Sequence, residues 1–370
     1  MSQSLSILSK RCERLIGIAV SKEIDAFAVV PGANFTYLTG LELHLMERPT
    51  IFVVCKDGSR FAIMPSLEEQ KWSEAMPDVE TFYWKDAEGP DAAFAWLADQ
   101  CGPITLGVEG LRMRMAEYAL LVSHWHNKQV INADAALAEL RMLKDKNEVV
   151  ALSRAIKISE AALLETIEAT RVGQTELQVK SRLQKAMLSH GAEGFAFDPI
   201  VLTGSAAANP HGTSGGGSIV PGACLLIDFG ASYGGMHADI TRTFFCQYAS
   251  DEHQQIYNVV RLANEAGRDA VRVGMPVGSI DDAATSVLEN SSYADLILHK
   301  TGHGLGHDVH EAPQIMRENN IPIAQGMVFT VEPGLYKSGE LGVRIEDDIH
   351  VGPDGADCLT SLNRQLQTFG

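Results

Sequence analysis

Between Ala223 and Phe245 the chain reads ACLLIDFGASYGGMHADITRTFF, two apolar runs that each carry one aspartate. Asp228 stands between Ile227 and Phe229, and Asp239 between Ala238 and Ile240. The alternation, with Gly234-Gly235 between the runs, predicts a β-hairpin. An uncompensated carboxylate within an apolar strand costs several kcal/mol. An ion pair, a shared proton or a metal would each compensate it. Arg242 is available to one aspartate and leaves the other unexplained.

The pattern recurs about a hundred residues later. Arg171-Val172-Gly173 and Arg272-Val273-Gly274 each follow a predicted helix. Thr175 with Gln178 forms a capping box for the next helix, and Ser279 with Asp282 resembles a second N-cap. Gly222 precedes Asp228 by six positions, as Gly326 precedes Glu332 by six. Asp239 follows Asp228 by 11 and Glu346 follows Glu332 by 14, as though the second hairpin had a turn three residues longer. A His-Gly dipeptide stands before each hairpin, His211-Gly212 and His303-Gly304. The chain therefore carries a duplicated helix–helix–hairpin unit with acids at equivalent points of both copies.

Folded face to face, such a unit aims Asp228, Asp239, Glu332 and Glu346 at one centre. Four converging carboxylates cannot all stay ionised without countercharge. Two divalent cations supply it, and the neutral imidazole of His303 completes the set. Oxygen-dominated ligation favours Mn²⁺ or a similar ion, with Co²⁺ or Zn²⁺ as alternatives. A metal pair of this kind would hold a bridging hydroxide and polarise a substrate oxygen, and amide hydrolysis is its natural use. His211 and His310 lie in Gly-rich segments beside the set and could stabilise an oxyanion. Arg344 alternates with Glu346 along a strand, so it is expected to orient or charge-balance that carboxylate. His237 shares a face with Asp239 by the same reasoning, and Tyr336 is a candidate hydrogen-bond donor behind the ligands.

The preceding residues read as a separate small α/β domain, with a boundary near Asn132. Strands are expected at 24–30, 51–55, 60–64 and 104–108, and helices at 67–72, 92–99 and 113–124. Lys56-Asp57-Gly58-Ser59 is a hairpin turn. His124 and His126 do not share a helix face and are expected on the surface. Arg48 is either a solvated charge or a clamp for a substrate carboxylate. The overall class is α/β (α+β), with domains over 1–132 and 133–370.

A net charge of −17 argues against nucleic acid or an anionic membrane as partner. No apolar run reaches the ~18 residues of a membrane span, and the N-terminus lacks the apolar core of a signal peptide. The six cysteines are scattered without CxxC spacing. A cytoplasmic enzyme is the resulting expectation.

Leu226-Ile227-Asp228-Phe229-Gly230, Asp239-Ile240-Thr241-Arg242-Thr243-Phe244, the GHGLGHDVHE segment from Gly302, Val331-Glu332-Pro333-Gly334 and Val343-Arg344-Ile345-Glu346-Asp347 together resemble the pita-bread metallopeptidases. The similarity is to the branch of Xaa-Pro dipeptidases (prolidase) and aminopeptidase P. The first domain, with Tyr37-Leu38-Thr39-Gly40, resembles that branch's creatinase-type N-terminal domain. The resemblance implies a dinuclear-metal exopeptidase that hydrolyses X-Pro bonds in small peptides and forms a homodimer. It implies that Asp228 binds one metal, His303 and Glu332 the other, with Asp239 and Glu346 bridging. Glu332 would carry a proton to the leaving nitrogen, and His211 and His310 would contact the substrate. Imidazoles at His237 and His307 depart from the small, apolar or aromatic residues usual in the family at those positions. The competing readings are a metal-dependent, creatinase-like hydrolase or lyase acting on small C–N substrates, and a non-catalytic binding module.

Overall fold

The computed structural model describes residues 2–102, 104–126, 129–353 and 355–370, with side chains from residue 7 onward. The chain divides into two compact units, Met1–Arg141 and Met142–Gly370. The division falls beyond the expected break at Asn132. The helix Asp134–Arg141 buries Ala136, Leu137 and Leu140 in the first unit's core.

The first unit is built on a six-stranded sheet in the order Glu80–Trp84, Arg60–Pro65, Ile51–Cys55, Ala26–Val29, Thr105–Val108, Gln129–Asn132. Its central strands are buried throughout because both faces are covered. Phe27, Val29, Phe52 and Val54 enter one apolar cluster, whereas Ala26, Ala28, Ile51 and Val53 enter another. Trp72 anchors the first cluster, 5.9 Å from Phe35 and 5.7 Å from Phe52 between ring centroids. The Tyr37–Gly40 motif closes the short helix Ala33–Thr39, and Gly40 supplies its left-handed cap at φ 71°. The expected helix at 67–72 forms as a 3₁₀ turn, Ser66–Glu68, leading into Glu69–Ala75. Arg48 is paired with Asp86, at 2.9 and 2.7 Å, and with Glu47. His124 Nε2 lies 2.9 Å from Asp91 Oδ1, and His126 is exposed.

The second unit contains the duplication. Helices Lys146–Glu168 and Glu176–Ser189 pack together in the first copy, Asp251–Asp269 and Gly278–Glu289 in the second. The capping box at Thr175 and Gln178 forms. Ser279 is not an N-cap: the last helix starts at Gly278, and the Ser279 hydroxyl donates to Pro276 O. Matched hydrogen bonds define the equivalence of the copies. Gly173 N donates to Ile219 O and Ile219 N to Gln174 O, while Gly274 N donates to Ile323 O and Ile323 N to Met275 O. Gly222 N reaches Cys246 O, and Gly326 N reaches Val351 O, each at 2.8 Å.

These bonds also correct the expected alignment of the acids. Asp228 pairs with Thr241 in the first copy's ladder. In the second, Val331 pairs with Asp347 and Gly334 with Arg344, which sets Glu332 opposite Glu346. Glu346 is thus the counterpart of Thr241, and Arg344 the counterpart of Asp239. The first strands carry equivalent acids; on the second strands the acid has moved by two positions, which keeps it on the same face.

Among the described residues, no helix is long and apolar enough to cross a membrane.

Candidate metal centre and active site

Each acid is placed by a ladder that leaves little freedom. Asp228 lies near the end of the strand Cys224–Phe229, and Asp239 immediately precedes Ile240–Cys246. The two therefore stand diagonally on one face of the pair, within reach of each other. Gly230 lies across from Asp239, and a Cβ there would sit 1.7 Å from Ala238 O. The chain then runs into a short second hairpin, Ala231–Tyr233 with Met236–His237, turned by Gly234-Gly235. The predicted single hairpin is thus two ladders in succession. His303 is delivered by Gly302–Gly304, where Cβ atoms at either glycine would meet backbone oxygens of Thr330 or Ala312 at 2.1 Å. Glu332 and Glu346 occupy the gap between the Val328–Val331/Asp347–Gly352 ladder and the Gly334–Lys337/Leu341–Arg344 ladder.

The structure brings these residues together. Ligand atoms of Asp228, Asp239 and Glu346 lie within 4.8 Å of one another, as do those of His303, Glu332 and Glu346, and those of Asp239, His303 and His310. Glu346 belongs to two of these groups, and so does Asp239. His303 Nε2 is 3.4 Å from Glu332 Oε1 and 3.6 Å from Asp239 Oδ2. The His310 ring stands edge-on to His303 with centroids 4.1 Å apart.

Burial first, and then the neighbouring carboxylates, push Asp239 and Glu346 well above ordinary carboxylate values. Burial raises Glu332 to about 7 and also raises Asp228, where it outweighs the Arg344 guanidinium. His303 is driven by burial to about 3 and is neutral. Its Nδ1 lies 3.1 Å from Gly304 O, which can only accept, so Nδ1 carries the proton and the Nε2 lone pair faces the acids. Asp228 Oδ1 is buried with no hydrogen-bond partner. Four protonation-prone oxygen donors, one oriented imidazole and an orphaned carboxylate oxygen make a donor set that fits divalent cations.

A hydrogen-bond chain with fixed directions supports the set from behind. Arg344 Nη2 donates to Asp228 Oδ2, Nε to Thr241 Oγ1 at 3.0 Å, and Nη1 to Tyr336 OH at 2.8 Å. Thr241 OH therefore donates onward to Glu346 Oε2, at 2.6 Å. Tyr336 OH, already accepting from a group that cannot accept in return, donates to His299 Nε2 at 2.8 Å. His299 Nδ1 then donates to Lys300 O. Arg344 makes its own side-chain bonds to Asp228, Thr241 and Tyr336. It reaches the Glu346 carboxylate through Thr241.

Arg242 likewise serves neither Asp228 nor Asp239. It is buried against Asp347, at 2.7 Å, and against backbone oxygens of Glu346 and Leu362. His211 is exposed, and its hydrogen bond is from its backbone N to Asn209 Oδ1. His237 Nδ1 lies 2.8 Å from Ser232 Oγ rather than against Asp239. His307 contacts Glu148 at 2.8 Å. His299 and Thr241 escape a reading of the sequence. Thr241 lies on the same strand face as Asp239, a signal that could have found it; His299 has no local signal, since its partner is 37 residues away.

Residues 150–353 match the pattern of metallopeptidase family M24, and residues 11–143 that of the creatinase/prolidase N-terminal domain. The chain belongs to metallopeptidase family M24. As a member of that family it is a metallopeptidase, with a creatinase-type N-terminal domain ahead of a pita-bread domain. Solved structures of similar proteins agree along the whole length. A prolidase from Thermococcus sibiricus is 32% identical, with a TM-score of 0.92 covering 97% of this chain and 98% of that one. A dipeptidase from Pyrococcus horikoshii OT3 is 33% identical, with a TM-score of 0.89 and coverage of 97% and 100%. An X-Pro aminopeptidase from Thermotoga maritima is 31% identical, with a TM-score of 0.84 and coverage of 96% and 99%. The M24 members it resembles thus include both dipeptidases and an aminopeptidase.

Proposed function

We propose that the protein is a dinuclear-metal exopeptidase that hydrolyses the bond before proline in small peptides. The observation that carries this reading is the convergence of Asp228, Asp239, His303, Glu332 and Glu346, with Asp228 Oδ1 left unsatisfied and the acids biased toward protonation. Asp228, Asp239 and Glu346 would hold one cation and His303, Glu332, Glu346 and Asp239 the other, so that Asp239 and Glu346 bridge. The donor set favours Mn²⁺. Two such ions, when bound, supply an activated water and polarise the scissile carbonyl.

The remaining work falls to side chains of this chain. Glu332 is only half-buried, unlike Asp228, Asp239 and Glu346, and is placed to carry a proton to the leaving nitrogen. His310 is exposed on the side of His303 and is placed to donate a hydrogen bond to the developing oxyanion. His211, exposed on its Gly-flanked loop, is free to approach a bound peptide. Arg344 and Thr241 hold the Asp228 and Glu346 carboxylates in place. The names of the similar structures, prolidase and X-Pro aminopeptidase, support proline specificity. Six cysteines, none of them in a disulfide, suit a cytoplasmic location, and a homodimer is the expected assembly.

Hydrolysis of Ala-Pro, Ala-Pro-Ala and Ala-Ala by metal-stripped protein resupplied with Mn²⁺ tests this, with Asp239→Ala as control. Cleavage of a proline substrate that returns with metal and is absent in the control is expected. The dipeptide-to-tripeptide ratio assigns the branch. Two bound metals per chain without turnover of any of the three would overturn the X-Pro reading and direct attention to small C–N substrates.

A further inference from the structure

The segment from Leu305 to Glu311, which presents His310 beside His303, is held at both ends by one short stretch of chain. Lys144 Nζ lies 2.5 Å from Glu311 Oε1, with the two side chains 1% and 6% exposed. Four residues on, Glu148 Oε1 lies 2.8 Å from His307 Nε2. The other oxygen of Glu148 accepts from Asp145 N at 2.8 Å, in the capping box that starts the Lys146–Glu168 helix. The stretch is itself anchored, because Lys144 N donates to Gly326 O at 2.7 Å. Gly306 lies under the ion pair: a Cβ there would sit 2.2 Å from Glu311 Oε1 and 2.7 Å from Lys144 Cε.

A buried ion pair contributes little to stability compared with an apolar pair of the same volume, because desolvating two charges offsets their attraction. What it does supply is a fixed geometry. Glu311 is the residue next to His310 and His307 lies three before it, so the two contacts grip the backbone on either side of that imidazole. Within the segment Leu305 is fully buried and its N donates to Val328 O at 3.1 Å, Gly306 N donates to Asp308 O at 3.0 Å, and Gly306 O accepts from His237 N at 3.0 Å.

We infer that Lys144–Glu311 and Glu148–His307 form a two-point clamp that fixes the His310 imidazole against His303, which makes Lys144 and Glu148 positioning residues for the hydrolytic reaction. The inference rests on the role given to His310 above. The clamp acts on ring orientation and leaves the Asp228, Asp239, Glu332 and Glu346 cluster in place.

The test uses the full chain and two independent readouts. In metal-free protein, the His310 ring proton signal, assigned by its loss in His310→Gln, is expected to be single and narrow. It is expected to split or broaden in Glu311→Gln and in Glu148→Gln. In the Mn²⁺-loaded enzyme, Glu148→Gln is expected to lower kcat about tenfold to a hundredfold with KM nearly unchanged. Adding it to His310→Gln is then expected to cost less than about twofold more. Losses that multiply in the double variant, or a His310 signal unmoved in both single variants, would overturn the clamp. Should Glu311→Gln fail to fold, Glu148→Gln decides alone, since Gln keeps an acceptor for the Asp145 amide. Absence of peptidase turnover by the wild type would count against the function alone, because the ring signal is read without substrate.

Discussion

The guanidinium of Arg344 is bonded to Asp228, 116 residues earlier, and not to Glu346, its same-face neighbour on the strand. One planar group thereby spans the two copies of the duplication, touching Asp228 and Thr241 of the first and Tyr336 of the second. A lysine at this position would keep a positive charge but could not hold three acceptors in a fixed plane. Arg344→Lys is therefore expected to weaken metal binding or kcat/KM by about 10–100-fold. Metal titration followed by calorimetry and X-Pro hydrolysis measures both. An unaltered metal affinity together with unaltered kcat/KM would show that charge alone is needed at this position.

The crowding of the carboxylates sets what metal removal should do. Asp239 is held well above its ordinary range by burial, then by Glu346, Asp228 and Glu332. Replacing it with asparagine removes one buried acid and the repulsion it causes. Metal-free Asp239→Asn is expected to melt about 2–4 °C above metal-free wild type. It is also expected to lack the rise in Tm predicted for wild type on adding Mn²⁺. Thermal unfolding with and without chelator checks both; a metal-free variant that melts lower would mean that Asp239 is stabilising in the absence of cations.

Much of this centre is legible in the sequence because its chemistry is written in local motifs. Asp228 and Asp239 announce themselves as acids inside apolar strands, and His303 as an imidazole between two glycines. Strand register is not local, and there the sequence misleads. Counting from acid to acid makes Glu346 the partner of Asp239, whereas the ladders make it the counterpart of Thr241. Register is fixed by hydrogen bonds between distant segments and by which face must be buried, and a shift of two positions leaves the face unchanged. The same limit explains Arg242 and Arg344. Each lies beside a plausible acid in sequence, but the buried partners, Asp347 and Asp228, come from the other copy. His299 and the Lys144–Glu311 pair are invisible for the same reason, whereas the capping box at Thr175 and Gln178, a local device, forms as read.

The raised acids also fix the sign of a pH dependence. Glu332 is moved from 4.5 to about 7, burial being the main cause, and Asp239 and Glu346 move in the same direction. A carboxyl whose pKa is higher folded than unfolded binds more protons in the folded state. Its contribution to stability is complete below the unfolded value and is lost as pH rises through the folded one. The urea midpoint of metal-free protein is therefore expected to fall between about pH 5 and pH 8. Saturating Mn²⁺ is expected to flatten or reverse that trend, since cations replace the protons. A metal-free midpoint that rises over this interval would mean the cluster is already neutralised by another charge.

Gly230 offers a purely steric test of how closely the first ladder is tied to the centre. A methyl group there would lie 1.7 Å from Ala238 O and 3.1 Å from the Ala196 methyl, so backbone must move. The carbonyl that must give way belongs to the residue before Asp239, and its displacement is passed directly to that carboxylate. Gly230→Ala is expected to cost roughly 3 kcal/mol or more of stability, the range of overpacking within a closed site. Gly216 has nothing within 4 Å of its added Cβ. Gly216→Ala is accordingly expected to stay within about 0.5 kcal/mol of wild type. Chemical denaturation of both variants in the presence of chelator, followed by Mn²⁺ titration, separates the effects. If Gly230→Ala loses stability yet binds Mn²⁺ as tightly as Gly216→Ala, the strain relaxes away from Asp239, into the Ala231–Tyr233 hairpin. If both fall together, the turn at Gly230 holds the Asp239 carboxylate in register.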